Sequence, residues 1–400
     1  MLTKPFLEAQ PVLETLERVG HQAFFVGGCV RDLLLGREIH DIDIATSAEP
    51  AEVQDIFEKV IPVGIEHGTV IVRHDHRSYE VTTFRKDGTY TDSRHPDQVE
   101  FIRSIEEDLQ RRDFTINALA MDKAGAMTDL FDGQKDLADR LIRTVGNSHE
   151  RFKEDALRIL RALRFASQLG FDIEAGTLSA MEDLKQEIRQ LAAERITNEF
   201  GKLVSGRFFE KGLGYMLQLR LVENLPVFSR KTGILDKLPS AIQPLTGIAA
   251  FFAMLHILER EISVNEWISG WKCSNKEKQE AASLVKAFDR YQETGLDPWL
   301  AYCLPEENDR AFIGLLNNLV PDKALSEIEL KAQRAALPIR SKKELALKGQ
   351  DIMALYPERK TGPWIHELIL NIEKAVVMGK CDNTKIDLKE WIKWDPPETN

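Results

Sequence analysis

The chain has 400 residues, 43% hydrophobic and 29% charged, and a formal net charge of −11. That length supports two or more domains with a sizeable core. No run of about 18 apolar residues offers a membrane span, and the acidic balance excludes a simple basic nucleic-acid-binding domain, though not an RNA selected by its shape.

In chain order, the spacing predicts an amphipathic helix over 8–19, stopped by Gly20, then a strand over 23–26. A glycine pair, Gly27-Gly28, ends that strand, and Cys29-Val30-Arg31-Asp32 opens a short helix-like segment. Next comes Asp41-Ile42-Asp43-Ile44, read as part of a strand over 41–45. Strand alternation sends Asp41 and Asp43 to one face and the isoleucines to the core. Two converging carboxylates repel unless a cation lies between them, and all-oxygen ligands suit Mg²⁺ with phosphate oxygens completing its shell. Glycines let the backbone approach a phosphate closely. The combination reads as a metal-dependent nucleotidyl-transfer site; an isolated Asp-x-Asp would be an ordinary strand edge.

A helix is predicted over 51–58. Residues 68–73 and 78–84 form a hairpin across His74-Asp75-His76-Arg77, and 99–102 is a short strand. The polar stretch 86–97, with Arg94-His95-Pro96, reads as a loop. From about 148 strand signals vanish, and helices are predicted over 151–169, 177–190, 197–205, 207–217, 249–262 and 365–378. The Pro- and Gly-richer region 225–247 is a candidate joint. In the 151–169 helix, Asp155 and Arg158 stand three apart and share a face, with Arg161 and Arg164 continuing the stripe. By itself such a pair is more often an ordinary ion pair on a solvated surface. The fold class is therefore α+β: a small mixed-sheet head followed by an all-α neck, body and tail.

The four cysteines lie too far apart for a metal site or a disulfide framework, the nine histidines make no zinc pattern, and Met1–Pro5 has no signal-peptide core. A reducing, cytoplasmic setting is expected.

Several ordered blocks carry a resemblance: Gly27-Gly28-x-Val30-Arg31-Asp32, Asp41-x-Asp43, Glu80-x-x-Thr83-Phe84-Arg85, Arg111-Arg112-Asp113-Phe114-x-x-Asn117-Ala118, Asp129-x-x-Asp132-Gly133, Glu154-Asp155-x-x-Arg158 and Glu194-Arg195-Ile196-x-x-Glu199. Across about 20–205 the chain resembles the class II CCA-adding enzymes (tRNA nucleotidyltransferases) and their bacterial poly(A) polymerase relatives. Beyond 230 the likeness is looser, at Lys348-Gly349-x-Asp351 and Gly362-Pro363.

The resemblance implies a nucleotidyltransferase head over 1–147, a base-recognising neck over 148–225, a body over 226–330 and a tRNA-docking tail over 331–400. It implies addition of C, C and A to the 3′ end of tRNA from CTP and ATP. Asp41 and Asp43 would hold two Mg²⁺, with Glu80 a third carboxylate or a plain exposed strand residue. Gly27, Gly28 and Arg31 would meet the triphosphate. Arg112, Asp113 and Asn117 would hold phosphate and ribose, whereas Arg111 could be a surface charge. Asp155 would accept from the amino group of cytosine or adenine while Arg158 donates to the neighbouring ring nitrogen. Uracil and guanine present a carbonyl there and leave the carboxylate unpaired. Arg161 and Arg164 would add phosphate or base contacts or serve solubility. Lys342, Lys343, Lys348, Arg359 and Lys360 are candidate tRNA contacts, and a homodimer is possible. A full-length loop at 86–97 favours complete CCA addition. CC- or A-adding activity and poly(A) polymerase stay as alternatives within this chemistry, and a non-catalytic RNA-binding protein outside it.

Overall fold

The computed structural model describes residues 2–87, 99–323 and 325–394. From Gly88 on, the predicted loop over 86–97 lies outside these residues. The chain forms two compact units, Met1–Thr232 and Gly233–Asn400.

The first unit opens with α1 (Lys4–Arg18), which starts four residues earlier than the periodicity suggests because Pro5 is tolerated in a first helical turn. Its buried stripe, Phe6, Ala9, Val12, Leu13 and Leu16, faces the sheet that follows; Phe6 meets Phe25 edge-on, with ring centroids 4.9 Å apart. Then come β1 (Ala23–Val26), α2 (Gly28–Leu34), β2 (Asp43–Thr46), α3 (Pro50–Ile56), β3 (Val60–Pro62), β4 (Thr69–His74) and β5 (Arg77–Thr83). The β4–β5 hairpin turns on Asp75 and His76, both at positive φ (45° and 62°), as a tight two-residue turn requires. The short pair β6 (Arg85–Asp87) and β7 (Val99–Phe101) follows, then α4 (Ile105–Gln110), β8 (Leu119–Met121), β9 (Met127–Asp129), α5 (Gly133–Ala138) and β10 (Leu141–Ile142).

The main sheet is mixed, with strand order β3-β4-β5-β2-β1-β8-β9. β2 runs parallel to β5, and its other ladders are antiparallel. Val26, Ala45, Phe84, Ile105, Leu109 and Ala120 form one cluster of its core.

The rest of the first unit contains α6 (Ser148–Glu154), α7 (Leu157–Leu169), β11 (Asp172–Ile173), α8 (Ala175–Leu184), α9 (Ala193–Val204) and α10 (Phe209–Gln218). The expected single helix over 151–169 is thus two. The backbone at Asp155 is extended (φ −150°, ψ 103°). Its carboxylate accepts from the Leu157 amide at 3.0 Å, the local capping bond by which aspartate competes with continued helix. Likewise, the helix expected to run to 190 tightens into 3₁₀ turns over Lys185–Gln190. α7, α9 and α10 pack tightly: the glycines 206 and 212 both lie against Ser167 of α7.

A 3₁₀ turn (Leu221–Asn224) precedes the expected joint, and two more (Phe228–Arg230, Thr232–Lys237) occupy its first part. The second unit is helical: α11 (Ile248–Leu258), α12 (Val264–Gly270), α13 (Asn275–Thr294), α14 (Pro298–Cys303), α15 (Asp309–Leu319), α16 (Glu327–Ala335), α17 (Gly349–Leu355), α18 (Trp364–Val377) and α19 (Lys385–Trp394). α11 is apolar nearly all round and central, and Phe252 stacks on Trp267 at 5.4 Å. A separate cluster, including Ile352, Leu368, Ile372 and Leu388, unites α17, α18 and α19. Among the described residues no helix is long and apolar enough to cross a membrane.

Candidate active site

Parallel pairing sets Asp43 of β2 opposite Glu80 of β5. Burial first, and then the Glu80 charge, push the Asp43 carboxyl from 3.8 up to about 6; Arg112 opposes and Asp41 adds to the rise. The strand begins only at Asp43. Asp41 precedes it in irregular, exposed backbone, so the expectation of one strand holding both aspartates is corrected. The alternation still holds locally: Ile42 and Ile44 are buried. Asp43 and Glu80 line a cleft of about 670 Å³, and Asp41 does not.

Gly27 follows β1 at φ 70° and ψ −129°, a backbone conformation that favours glycine, and a Cβ there would lie 3.0 Å from Arg112 Nη1. Arg31 lies back along α2. It donates to both carboxylate oxygens of Asp32 at 3.0 Å and to Asn117 Oδ1 at 2.7 Å. Arg111 is no stray surface charge: it and Arg112 both donate to the buried Asp108, with shortest bonds of 2.7 and 3.0 Å. Burial raises the Asp108 carboxyl, but Arg112 and Arg111 outweigh it and hold it below the usual range. Asp108 escaped the sequence reading, although its spacing of three and four residues before two arginines was a legible signal.

Asp113 is buried and accepts from Arg161 Nε at 2.7 Å, Asn117 Nδ2 at 3.3 Å and the Phe114 amide at 2.8 Å. Against burial, Arg161 and Arg158 bring its carboxyl down to about 2. Arg161 therefore anchors Asp113 to α7. Arg164 lies 2.8 Å from Glu199 as an ion pair without hydrogen-bond alignment, with its guanidinium 4.3 Å from the Phe165 ring centroid.

Asp155 and Arg158 both line the cleft, but not as neighbours on one helix. Arg195 Nη2 of α9 donates to Asp155 Oδ2 at 2.8 Å. Arg158 Nη1 donates to Glu154 Oε2 at 2.6 Å and to the Arg151 carbonyl at 3.1 Å, and its Nη2 to the Arg111 carbonyl at 3.3 Å. The cleft thus gathers Gly28, Arg31, Asp43, Glu80, Arg112, Asp113, Asn117, Asp155, Arg158, Arg161 and Arg164, every residue singled out for catalysis or for triphosphate, ribose and base recognition except Asp41.

Among the described residues no three His, Cys, Asp or Glu side chains are grouped closely enough to hold a metal ion unaided. The raised Asp43 carboxyl beside Glu80 is a site whose charge a cation would relieve.

The class is defined by the family models. The poly A polymerase head domain matches 23–143. The "Probable RNA and SrmB-binding site of polymerase A" matches 170–232, and tRNA nucleotidyltransferase domain 2 matches 243–392. The fold and cleft are those of a nucleotidyltransferase. The CCA-adding enzyme of Oceanobacillus iheyensis is 49% identical over 401 residues, spanning all of both chains. That of Anoxybacillus flavithermus is 44% identical, covering 98% of this chain and 97% of its own. The crystal structure of the Bacillus stearothermophilus CCA-adding enzyme in complex with CTP superposes with a TM-score of 0.85 at 36% identity, covering 98% of each chain. The chain belongs to the CCA-adding enzyme family.

Proposed function

We propose that this protein adds C, C and A in turn to the 3′ end of tRNA, taking CTP and ATP and releasing pyrophosphate without a nucleic-acid template. The observation that carries this reading is one cleft lined by Asp43 and Glu80 together with Asp155 and Arg158, in a chain of this family. Arg31 and Arg112 meet the triphosphate, with Gly28 allowing close backbone approach; Asp113 and Asn117 orient the ribose. The 3′-hydroxyl oxygen bonds to the α-phosphorus as the bond to pyrophosphate breaks, and positioning supplies most of the acceleration. Asp43, with Asp41 and Glu80, would hold two Mg²⁺. When bound, Mg²⁺ supplies a lowered pKa for the attacking hydroxyl and charge neutralisation for the leaving pyrophosphate.

Asp155 and Arg158 read the incoming base. Each oxygen of Asp155 accepts one of the described bonds, which leaves lone pairs for an amino group. On this reading 1–147 is the catalytic head, 148–225 the base-reading neck, 226–330 the body and 331–400 the docking tail. In the tail, Lys342, Lys343, Lys348 and Lys360 are exposed, and Arg359 lies 4.7 Å from the Trp364 ring centroid. These residues suit contact with RNA phosphates. A cytoplasmic location and pairing of two copies belong to the same reading; sedimentation across a concentration range tests the pairing.

The deciding experiment is incorporation onto a tRNA transcript ending at its discriminator base, with Mg²⁺ and CTP, ATP or both. Two residues from CTP alone and three from both support CCA addition. Arrest at two with both makes it a CC-adding enzyme, and a long ladder from ATP alone a poly(A) polymerase.

A further inference from the structure

In the strand order β4-β5-β2-β1, the sheet residues that line the cleft fall to two sides of the Asp43–Glu80 pair, here called its two arms. On the β1 and α2 side stand Gly28, Arg31, Arg112 and Asn117, which the proposed function engages with the incoming nucleotide. On the β4 side stand His67, Thr69, Thr82 and Arg85, to which that function gives no part.

Sheet register builds this second arm. Thr82 is two residues beyond Glu80 on β5 and so shares its face. Thr69 is its partner across the antiparallel β4–β5 ladder. The two hydroxyl oxygens are 3.2 Å apart. A pair of threonines across strands is an ordinary sheet contact. Here it opens into the cleft, half-buried, directly beside the carboxylates. Their shared bond engages one of two hydroxyl protons and leaves a donor and several lone pairs for another group. Arg85 follows on the next strand, its guanidinium braced on the His67 carbonyl, and lines the same arm.

In-line displacement needs the nucleophile to enter opposite the leaving group. With the triphosphate held on the arginine side, the acceptor end arrives from the β4 side, past Glu80. A ribose 2′-hydroxyl both donates and accepts, as a threonine pair does, and a phosphodiester seeks a cation.

We infer that Thr69, Thr82 and Arg85 form the subsite for the 3′-terminal ribonucleotide of the acceptor RNA. The threonine hydroxyls bond its 2′-hydroxyl and Arg85 faces its phosphate. This rests on the proposed function, since it supplies the acceptor side of the same reaction.

The test uses the full-length protein, Mg²⁺ and saturating CTP, with two otherwise identical tRNA acceptors ending in a ribo- or a 2′-deoxynucleotide, each with its 3′-hydroxyl. The wild type should lose about tenfold in kcat/KM on the deoxy end, the scale of one hydrogen bond. T69V and T82V should lose about tenfold on the ribo end and little more on the deoxy end, with KM for CTP unchanged. T82S, which restores the hydroxyl, should recover the ribo preference and so separates lost contact from lost fold. Equal use of both ends by the wild type, losses that multiply, or no recovery in T82S would overturn the subsite while leaving CCA addition standing. Absence of incorporation onto either acceptor by the wild type would overturn both.

Discussion

Asp43 and Glu80 are directly paired in the parallel β2–β5 register, and the burial of Asp43 beside that second carboxylate sets the cost of the site in the absence of metal. The folded Asp43 carboxyl titrates near 6 against 3.8 for the free group. The unfolded chain therefore releases this proton first, so stability falls as pH rises from about 4 to about 6 and stays lower above. The full effect is at most about 3 kcal/mol. In EDTA at pH 8, Asp43→Asn should unfold at higher urea than the wild type by about 1–2 kcal/mol, while incorporation assayed separately with Mg²⁺ drops at least about a thousandfold. A less stable Asp43→Asn would show the charge to be compensated elsewhere.

Mg²⁺ should raise the melting temperature of the wild type, because a ligand that binds the folded state stabilises it. Asp43→Asn should lose most of that rise and Glu80→Gln part of it. An undiminished Mg²⁺ shift in both variants would place the cation elsewhere.

Asp108 touches no reacting atom in this reading, yet it fixes two arginines of the cleft. Asp108→Asn should raise KM for both CTP and ATP about tenfold with a smaller change in kcat. It should also lower stability by about 1–3 kcal/mol, since a buried acceptor loses its charge against two cations. Steady-state kinetics at fixed tRNA would separate these effects, and an unchanged KM would leave Asp108 with a purely structural part.

Asp155→Ala should bring UTP incorporation to within about tenfold of CTP, with the Mg²⁺ dependence unmoved. Unaltered selectivity would exclude the carboxylate as a base reader.

Gly206→Ala is predicted from packing alone. Its Cβ would lie 2.0 Å from Ser167 Oγ and 2.6 Å from the Ser167 carbonyl oxygen, so α7 must move. A loss of about 1–3 kcal/mol or more is expected in urea denaturation. Because α7 carries Arg158, Arg161 and Arg164, activity should fall along with it.

The sequence was most legible where chemistry repeats at short range. The β1 bounds came directly from its apolar run, and the hairpin turn was evident in four polar residues. β8 and β9 went unread because three-residue strands, one of them buried throughout as Leu119-Ala120-Met121, carry no alternation. The break at Asp155 was hidden because helical periodicity continues on both sides of it, and a single capping bond decides the matter. The gathering of Asp113 with Arg161, and of Asp155 with Arg195, depends on tertiary packing that no local spacing encodes.

The interruption between α6 and α7 also bears on measurement at molecular scale. Two side chains on one helical turn form a gauge of fixed width. Here the carboxylate of Asp155 is tethered to α9, while Arg158 is tied back to the end of α6. The Asp155 carboxylate also caps α7 at the Leu157 amide, so its separation from Arg158 depends both on the local turn that opens α7 and on the tether to α9. On the proposed reading, one pair of jaws can close to suit either a one-ring or a two-ring base.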